Sequence, residues 1–245
     1  MGPHDGSLAD GMQSILPKPS KSAVIQSCTL LNGLGEGHVS LLMDKSNMAY
    51  ASRGEPIWHA GMKPEFCAVI GAGFVKMTKS TPHGTDMVME LFGPGQCFGL
   101  VAVAERRDYP LSATAVTNCW YLKLPARDMQ DIYDTDSILK DRIVKAFGSR
   151  LRKAHDMMSR LSSGRVEERI AAVLFSLADS YGRRTAAGVE LEVPLTRSDI
   201  SEMAGTTTET TIRVLSRWQK EGIVSTDRHV ITILNQDALS FVLQG

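Results

Sequence analysis

The sequence predicts an α+β protein with three folded parts: a β-roll of double-stranded β-helix or jelly-roll type, one long helix, and a C-terminal winged helix-turn-helix. Three observations predict it. Short apolar runs punctuated by Gly and Pro occupy residues 23–135. Apolar residues then recur at alternating three- and four-residue steps from Val144 to Leu161. Two short helical patterns meet at Gly205 and are followed by two alternating runs. The matching division is a loose tail over 1–22, the β-roll over 23–135, the long helix over 136–163 and the winged helix-turn-helix over 164–245.

Composition bounds the function. With 43% of 245 residues apolar, the chain can build a packed core, which excludes a wholly disordered protein. Lys plus Arg and Asp plus Glu both number 27, so a uniformly basic coat is excluded and any nucleic-acid surface must be local. No apolar run reaches about 18 residues, so no transmembrane helix and no membrane partner are expected. The first residues lack the basic stretch and apolar run of a secretory signal. Cys28, Cys67, Cys97 and Cys119 are too sparse for a disulfide framework and form no CxxC pair. Reduced thiols in a cytoplasmic protein are the expectation.

Residues 1–22 are rich in Gly, Pro, Ser and Asp, close on Pro17 and Pro19, and read as a mobile tail. In the next segment, Ala68-Val69-Ile70, Phe74-Val75-Lys76-Met77, Met87-Val88-Met89-Glu90-Leu91 and Cys119-Trp120-Tyr121-Leu122-Lys123-Leu124 are brief apolar or alternating runs. Gly71, Gly73, Pro82, Gly84, Gly93, Pro94 and Gly95 stand between them. Short strands with such turns predict a β-sandwich or barrel, with a hairpin loop at 80–84. Val144, Phe147, Leu151, Ala154, Met158 and Leu161 then form an a/d seam about 18 residues long, roughly 27 Å of helix. Two copies paired along it would bury it, so these six residues are assigned to a dimer interface. Ile138, Leu139 and Ile143 extend the apolar side. A further helical pattern over 166–180 is stopped by Gly182, and Val189, Leu191, Val193 and Leu195 alternate as a short strand.

Residues 196–222 carry the chemistry. Thr196 stands three before Asp199, an N-cap with an acid in the first turn, and Ile200 and Met203 give that short helix its apolar face. Gly205 ends it in a tight turn. Thr206, three before Glu209, has capping-box spacing for a second helix, whose apolar positions are Ile212, Leu215 and Trp218 before Gly222 stops it. Val224-Ser225-Thr226 and Val230-Ile231-Thr232-Ile233, joined through Asp227-Arg228-His229, read as a β-hairpin wing. The second helix opens on polar side chains. Glu209 and Arg213 are one turn apart on one face. A carboxylate can accept from cytosine N4 and a guanidinium can donate to guanine O6 and N7, so the pair can read one G·C step. Thr207, Thr208, Thr211 and Ile212 are assigned to phosphate or thymine-methyl contacts, with Thr196, Arg197, Arg217 and Lys220 beside them on the backbone. Residues 164–245 hold nine Lys/Arg against eleven Asp/Glu, so one copy should bind weakly and two-fold pairing should repair this.

The order of β-roll, long helix and winged helix resembles the CRP/FNR family of bacterial transcription regulators over about residues 23–243. The stretch 195–213, Leu195 to Arg213, is similar to the family's recognition signature. The resemblance implies a homodimer that binds an inverted repeat in double-stranded DNA, contacts RNA polymerase and carries no enzyme activity or catalytic residue. By position, Glu209 and Arg213 match the family's base-reading pair. Thr208 stands where the cAMP receptor protein has a further base-reading Arg, and Ile212 where the FNR branch usually has Ser. An effector pocket would be lined by Phe98, Gly99, Leu100, Leu111 and Ser112. In the cAMP-binding branch a Gly-Glu and an Arg-Ser pair hold the ligand. Here Leu100 takes the Glu position and Leu111 the Arg position, and Ser112 remains. A cyclic phosphodiester would enter with its charge unpaired, at a cost of several kcal/mol, so a response to cAMP in the usual mode is not expected.

FNR-type iron–sulfur ligation needs three closely spaced N-terminal cysteines, and only Cys28 lies there. Haem stays open as a family option: His38, His59 and His83 are candidate ligands that no spacing selects. Thiol sensing through a cysteine stays open as well, as does a protein that needs no effector, and no metal site is assigned. Gly33-Leu34-Gly35-Glu36-Gly37 lacks the GxGxxG spacing and reads as a turn, and no GxSxG, HExxH or P-loop is present. The alternative to DNA reading is an effector-binding module whose winged helix contacts protein.

Overall fold

A computed structural model describes residues 16–81, 86–227 and 230–244; for 153, 157, 159–163 and 244 it describes the backbone alone. The chain begins with two helices, α1 (Lys21–Ser27) and α2 (Glu36–Lys45). The roll follows as β1 (Asn47–Ala51), β2 (Pro56–Trp58), β3 (Phe66–Ala72), β4 (Val75–Ser80), β5 (Asp86–Phe92), β6 (Cys97–Phe98), the short helix α3 (Leu100–Glu105), β7 (Ser112–Ala115) and β8 (Cys119–Pro125). One sheet has the order β1-β8-β3-β6 and the other β2-β7-β4-β5, and the pairs are antiparallel. The run Cys67-Ala68-Val69-Ile70 is apolar without alternation because β3 is covered on both faces. Ala68 and Ile70 point into the roll with Trp58, Phe92, Phe98 and Tyr121. Cys67 and Val69 point into a second cluster under the helices, with Leu31, Leu42 and Met129.

The two N-terminal helices are where the sequence reading differs. Strands were expected from residue 23, but Val24, Ile25, Leu31 and Leu42 are buried against the outer face of β3 and β8. Seven- and ten-residue helices hold too few turns to display a period. The tail also ends earlier than residue 22. Trp120 Nε1 donates to the Leu16 carbonyl at 2.8 Å and Lys18 lies 5.4 Å over the same indole, so residues 16–20 run docked on the roll. Part of the expected hairpin loop, residues 82–84, lies outside the described residues.

The roll leads into α4 (Ala126–Thr135) and the long α5 (Ser137–Ser163). Asp136 starts α5 by accepting from the Leu139 amide at 2.8 Å. The C-terminal part comprises α6 (Val166–Tyr181), β9 (Gly182–Thr185), β10 (Gly188–Leu191), α7 (Arg197–Ala204), α8 (Thr208–Lys220), β11 (Val224–Asp227), β12 (Val230–Ile233) and α9 (Gln236–Gln244). The expected wing is the β11–β12 hairpin, with Val224 opposite Ile233. It is the edge of a four-stranded sheet, β11-β12-β10-β9. Arg228 and His229, in its turn, lie outside the described residues. Leu191, Val193 and Leu195 are buried with Leu174, Leu215 and Trp218 in one core.

A candidate nucleic-acid interface

The helix-turn-helix is built by caps and one glycine. Thr196 caps α7: its hydroxyl accepts from the Asp199 amide at 3.1 Å and donates to the Asp199 carboxylate at 2.7 Å, and that carboxylate also accepts from the Thr196 amide. Such a cap is worth about 1 kcal/mol. Gly205 ends α7 at φ +59°, a left-handed conformation that a side chain would strain. The second helix then begins one residue later than its sequence pattern suggested. Thr207, not Thr206, is its cap, accepting from the Thr210 amide at 3.2 Å. Thr211, Val214, Leu215 and Trp218 form the buried side of α8.

That burial settles which side of α8 faces outward. Glu209, Ile212, Arg213, Arg217 and Lys220 are exposed along it, and Thr207 is exposed at its start. Glu209 and Arg213 make no ion pair with each other or with any other described residue, so both side chains are free to meet a ligand. Thr208 is half-buried, its hydroxyl 3.2 Å from that of Ser201. Thr196 is engaged in its cap, and Arg197 is half-buried, with its guanidinium pKa pulled down by burial. Arg217 is held at 3.4 Å by Glu167 on α6 and at 3.9 Å by Glu221, so its charge is already partly neutralised.

Thr211 requires a correction. It is fully buried, and among the described residues its hydroxyl has no hydrogen-bond partner. Steps of three and four from Thr211 reach Val214, Leu215 and Trp218, the core side of the helix. The position of Thr211 beside Ile212 and Arg213 places it on the same stretch of chain, but helical geometry turns it about 100° away from each neighbour. Ser216 was missed for the converse reason. It is exposed, one turn beyond Ile212 and on the same side as Glu209 and Arg213. The seven-residue step from Glu209 was the available signal.

The long helix displays a second exposed row. Val144 is 69% exposed, and Leu151 and Met158 are each 57% exposed, seven residues apart. Ala154 is exposed between them. Phe147 differs, because its ring packs against the roll's outer cluster and is half-buried within its own chain. Leu139 and Ile143 are buried there too, whereas Ile138 is exposed. The side chain of Leu161 lies outside the described residues.

The expected effector pocket is occupied by the protein itself. Phe98 is buried in the roll interior, but Leu100 is buried in the outer cluster under the helices and does not line the pocket. Trp58 stacks on Tyr109 with ring centres 4.2 Å apart and on Phe98 at 5.0 Å. Gly99, at φ +76°, leaves room for that indole: a Cβ would sit 2.9 Å from it. Leu111 is half-buried against this cluster, and its carbonyl accepts from the Trp58 indole at 3.0 Å. The Ser112 hydroxyl accepts from the Ala60 amide at 3.0 Å. No group of three or more His, Cys, Asp or Glu among the described residues is placed to hold a metal ion. Cys28, Cys67 and Cys97 share the outer cluster, while Cys119 sits in the roll interior. The four thiols therefore do not converge and do not fit a four-cysteine iron–sulfur cluster. Burial pushes Cys28 and Cys119 up to about 12, keeping them as thiols. His38 Nδ1 is 3.3 Å from Asp136, His59 is exposed, and His83 lies outside the described residues.

Comparison with known proteins matches both ends of the chain. Residues 49–136 fit the model of the cyclic nucleotide-binding domain, and residues 168–241 fit that of the Crp-like helix-turn-helix domain. The fumarate and nitrate reduction regulatory protein of Escherichia coli K12 is 27% identical over 188 residues, covering 77% of this chain and 75% of that protein. The same regulator from Salmonella typhi aligns equally. In fold, the chain is similar to FixK2 from Bradyrhizobium japonicum, with a TM-score of 0.72 and 22% identity over 80% of this chain and 96% of that one. It is likewise similar to a CooA mutant from Carboxydothermus hydrogenoformans, with a TM-score of 0.68 and 18% identity over 83% and 90% of the two chains.

Proposed function

The chain belongs to the CRP/FNR family of transcription regulators, and from that premise we propose that it works as a homodimer reading an inverted repeat with Glu209 and Arg213 of α8. The observation that carries this reading is the pair itself: a carboxylate and a guanidinium one turn apart, both exposed and both unpaired among the described residues. Ile212 and Ser216 complete the face presented to base edges, and Thr207, Arg197 and Lys220 flank it for phosphates. Val144, Ala154, Leu151 and Met158 support pairing of two α5 helices, since a row of exposed apolar side chains at heptad spacing gains by covering itself. The dimer contacts RNA polymerase as well as DNA, works in the cytoplasm and has no catalytic function. It does not answer to cAMP in the usual mode: Leu100 and Leu111 supply no charge, and the stacked rings of Trp58, Tyr109 and Phe98 fill the roll beside Leu111.

Selection from random duplexes at moderate salt tests the reading. The expected result is a two-fold symmetric site with a G·C pair in each half. Arg213→Ala should weaken that site by about 1–3 kcal/mol and relax preference at one base pair. Uniform loss on every sequence would remove Arg213 from the reading role, and enrichment of no symmetric site would favour a protein partner for the winged helix.

A further inference from the structure

The roll and the winged helix-turn-helix do not meet flush. Between β5, α5 and α6 lies a cavity of about 230 Å³. Val88, Leu91 and Phe92 of the roll line one side, and Val173, Leu177 and Met203 of the C-terminal domain line the other. Arg150, from the long helix, reaches into it. Its guanidinium lies 4.7 Å over the Phe92 ring and donates to the Cys97 carbonyl at 3.3 Å. A guanidinium has five N–H donors. Among the described residues no carboxylate forms an ion pair with this one. Glu90 also lines the cavity, and its carboxyl has no hydrogen-bond partner among the described residues.

We propose that this cavity binds a small monocarboxylate with an apolar body, its carboxylate on Arg150 and its carbon skeleton against Phe92, Leu177 and Met203. The size supports a small molecule, since pockets for drug-sized ligands run to roughly 300–1,000 Å³. The lining selects an apolar body with one anionic end, and Arg150 is preorganised for that end by its seat on Phe92. Glu90 selects against a second negative charge, which separates a carboxylate from a phosphate dianion. Burial raises the Glu90 pKa, against the opposing pull of Arg150. Because both domains form the walls, an occupied cavity ties the roll to the DNA-binding domain. That consequence rests on the DNA reading proposed above; the binding itself does not.

Calorimetric titration of the full chain with octanoate, octan-1-ol and octylamine, without DNA, tests the site. Octanoate should bind at least tenfold more tightly than the alcohol, and the amine should not bind. Arg150→Gln should abolish the preference for octanoate over the alcohol. Ser176→Phe adds bulk to the cavity wall without removing a charge, and should weaken octanoate at least tenfold with the thermal midpoint unchanged. Octanoate binding no tighter than octan-1-ol, or binding that both variants leave intact, overturns the site. A selected duplex, titrated with and without saturating octanoate, should change in affinity by threefold or more. Arg150-dependent octanoate binding by a protein that selects no duplex sequence would sink the DNA reading and leave the site standing.

Discussion

Glu209 and Arg213 are held outward on α8, and Thr211, between them, is held inward. The difference is testable at that residue. The buried Thr211 hydroxyl has no partner among the described residues, so it bears a desolvation cost without a compensating hydrogen bond. Thr211→Val should leave the selected DNA site unchanged and raise stability by up to about 1 kcal/mol, seen as a higher unfolding midpoint. A changed site preference would return Thr211 to the interface. The cysteines make a second residue-scale case. All four are buried, and the raised pKa values of Cys28 and Cys119 leave almost no thiolate at neutral pH. A thiol reagent such as DTNB should react with the native protein at the rate of global unfolding and with the denatured chain at once. Rapid modification of the native protein would reopen thiol sensing.

At the scale of elements, β4 and α7 are fastened by Lys76. Its ammonium lies 2.8 Å from Asp199 and 2.9 Å from Glu202, with all three side chains largely screened from solvent. The same Asp199 closes the cap of α7, so the roll is tied to the first turn of the helix-turn-helix. Burial alone would raise the Asp199 pKa, but hydrogen bonds from Lys76 and Thr196 outweigh it and hold the carboxyl below its ordinary range. Burial likewise opposes the charge on Lys76, and the two carboxylates outweigh it and raise its pKa. A depressed carboxylate stabilises the fold above its unfolded pKa and ceases to do so as pH falls through the folded value. A raised lysine stabilises below its unfolded pKa and ceases to do so as pH rises through the folded value. The fastening should therefore hold across neutral pH and fail at both extremes. Lys76→Met should cost about 1–3 kcal/mol at neutral pH, discounted from the fully buried case because the pair is partly exposed, and the loss should shrink in acid. Equal destabilisation at acidic and neutral pH would show that Lys76 acts by packing alone.

For the whole molecule, the charge balance is the constraint. Residues 164–245 carry nine Lys/Arg against eleven Asp/Glu, and Glu167 and Glu221 already draw on Arg217. Affinity from one copy would rest on few cations, and the proposed pairing of two copies on one duplex would supply the rest. Leu151→Asp should convert a sedimenting dimer into monomers and remove high-affinity binding to the inverted repeat while leaving weak binding to a half-site. A variant that stays dimeric would place the interface elsewhere than α5.

By itself the sequence determined the order of parts, the helix-turn-helix with its Thr196 cap and Gly205 turn, and the one-turn spacing of Glu209 and Arg213. These depend on residues a few positions apart, where spacing and geometry are tied by the helical repeat. The tertiary structure decided the rest. It turned Thr211 inward, moved the α8 cap to Thr207, and set α1 and α2 over the outer face of the roll. It packed Phe147 into its own chain, filled the expected effector pocket with Trp58 and Tyr109, and brought Lys76 to Asp199 and Arg150 to Phe92. Apart from the Thr207 cap, which rests on Thr210 three residues on, each depends on partners tens of residues away, and local periodicity carries no information about which distant surface a side chain will meet.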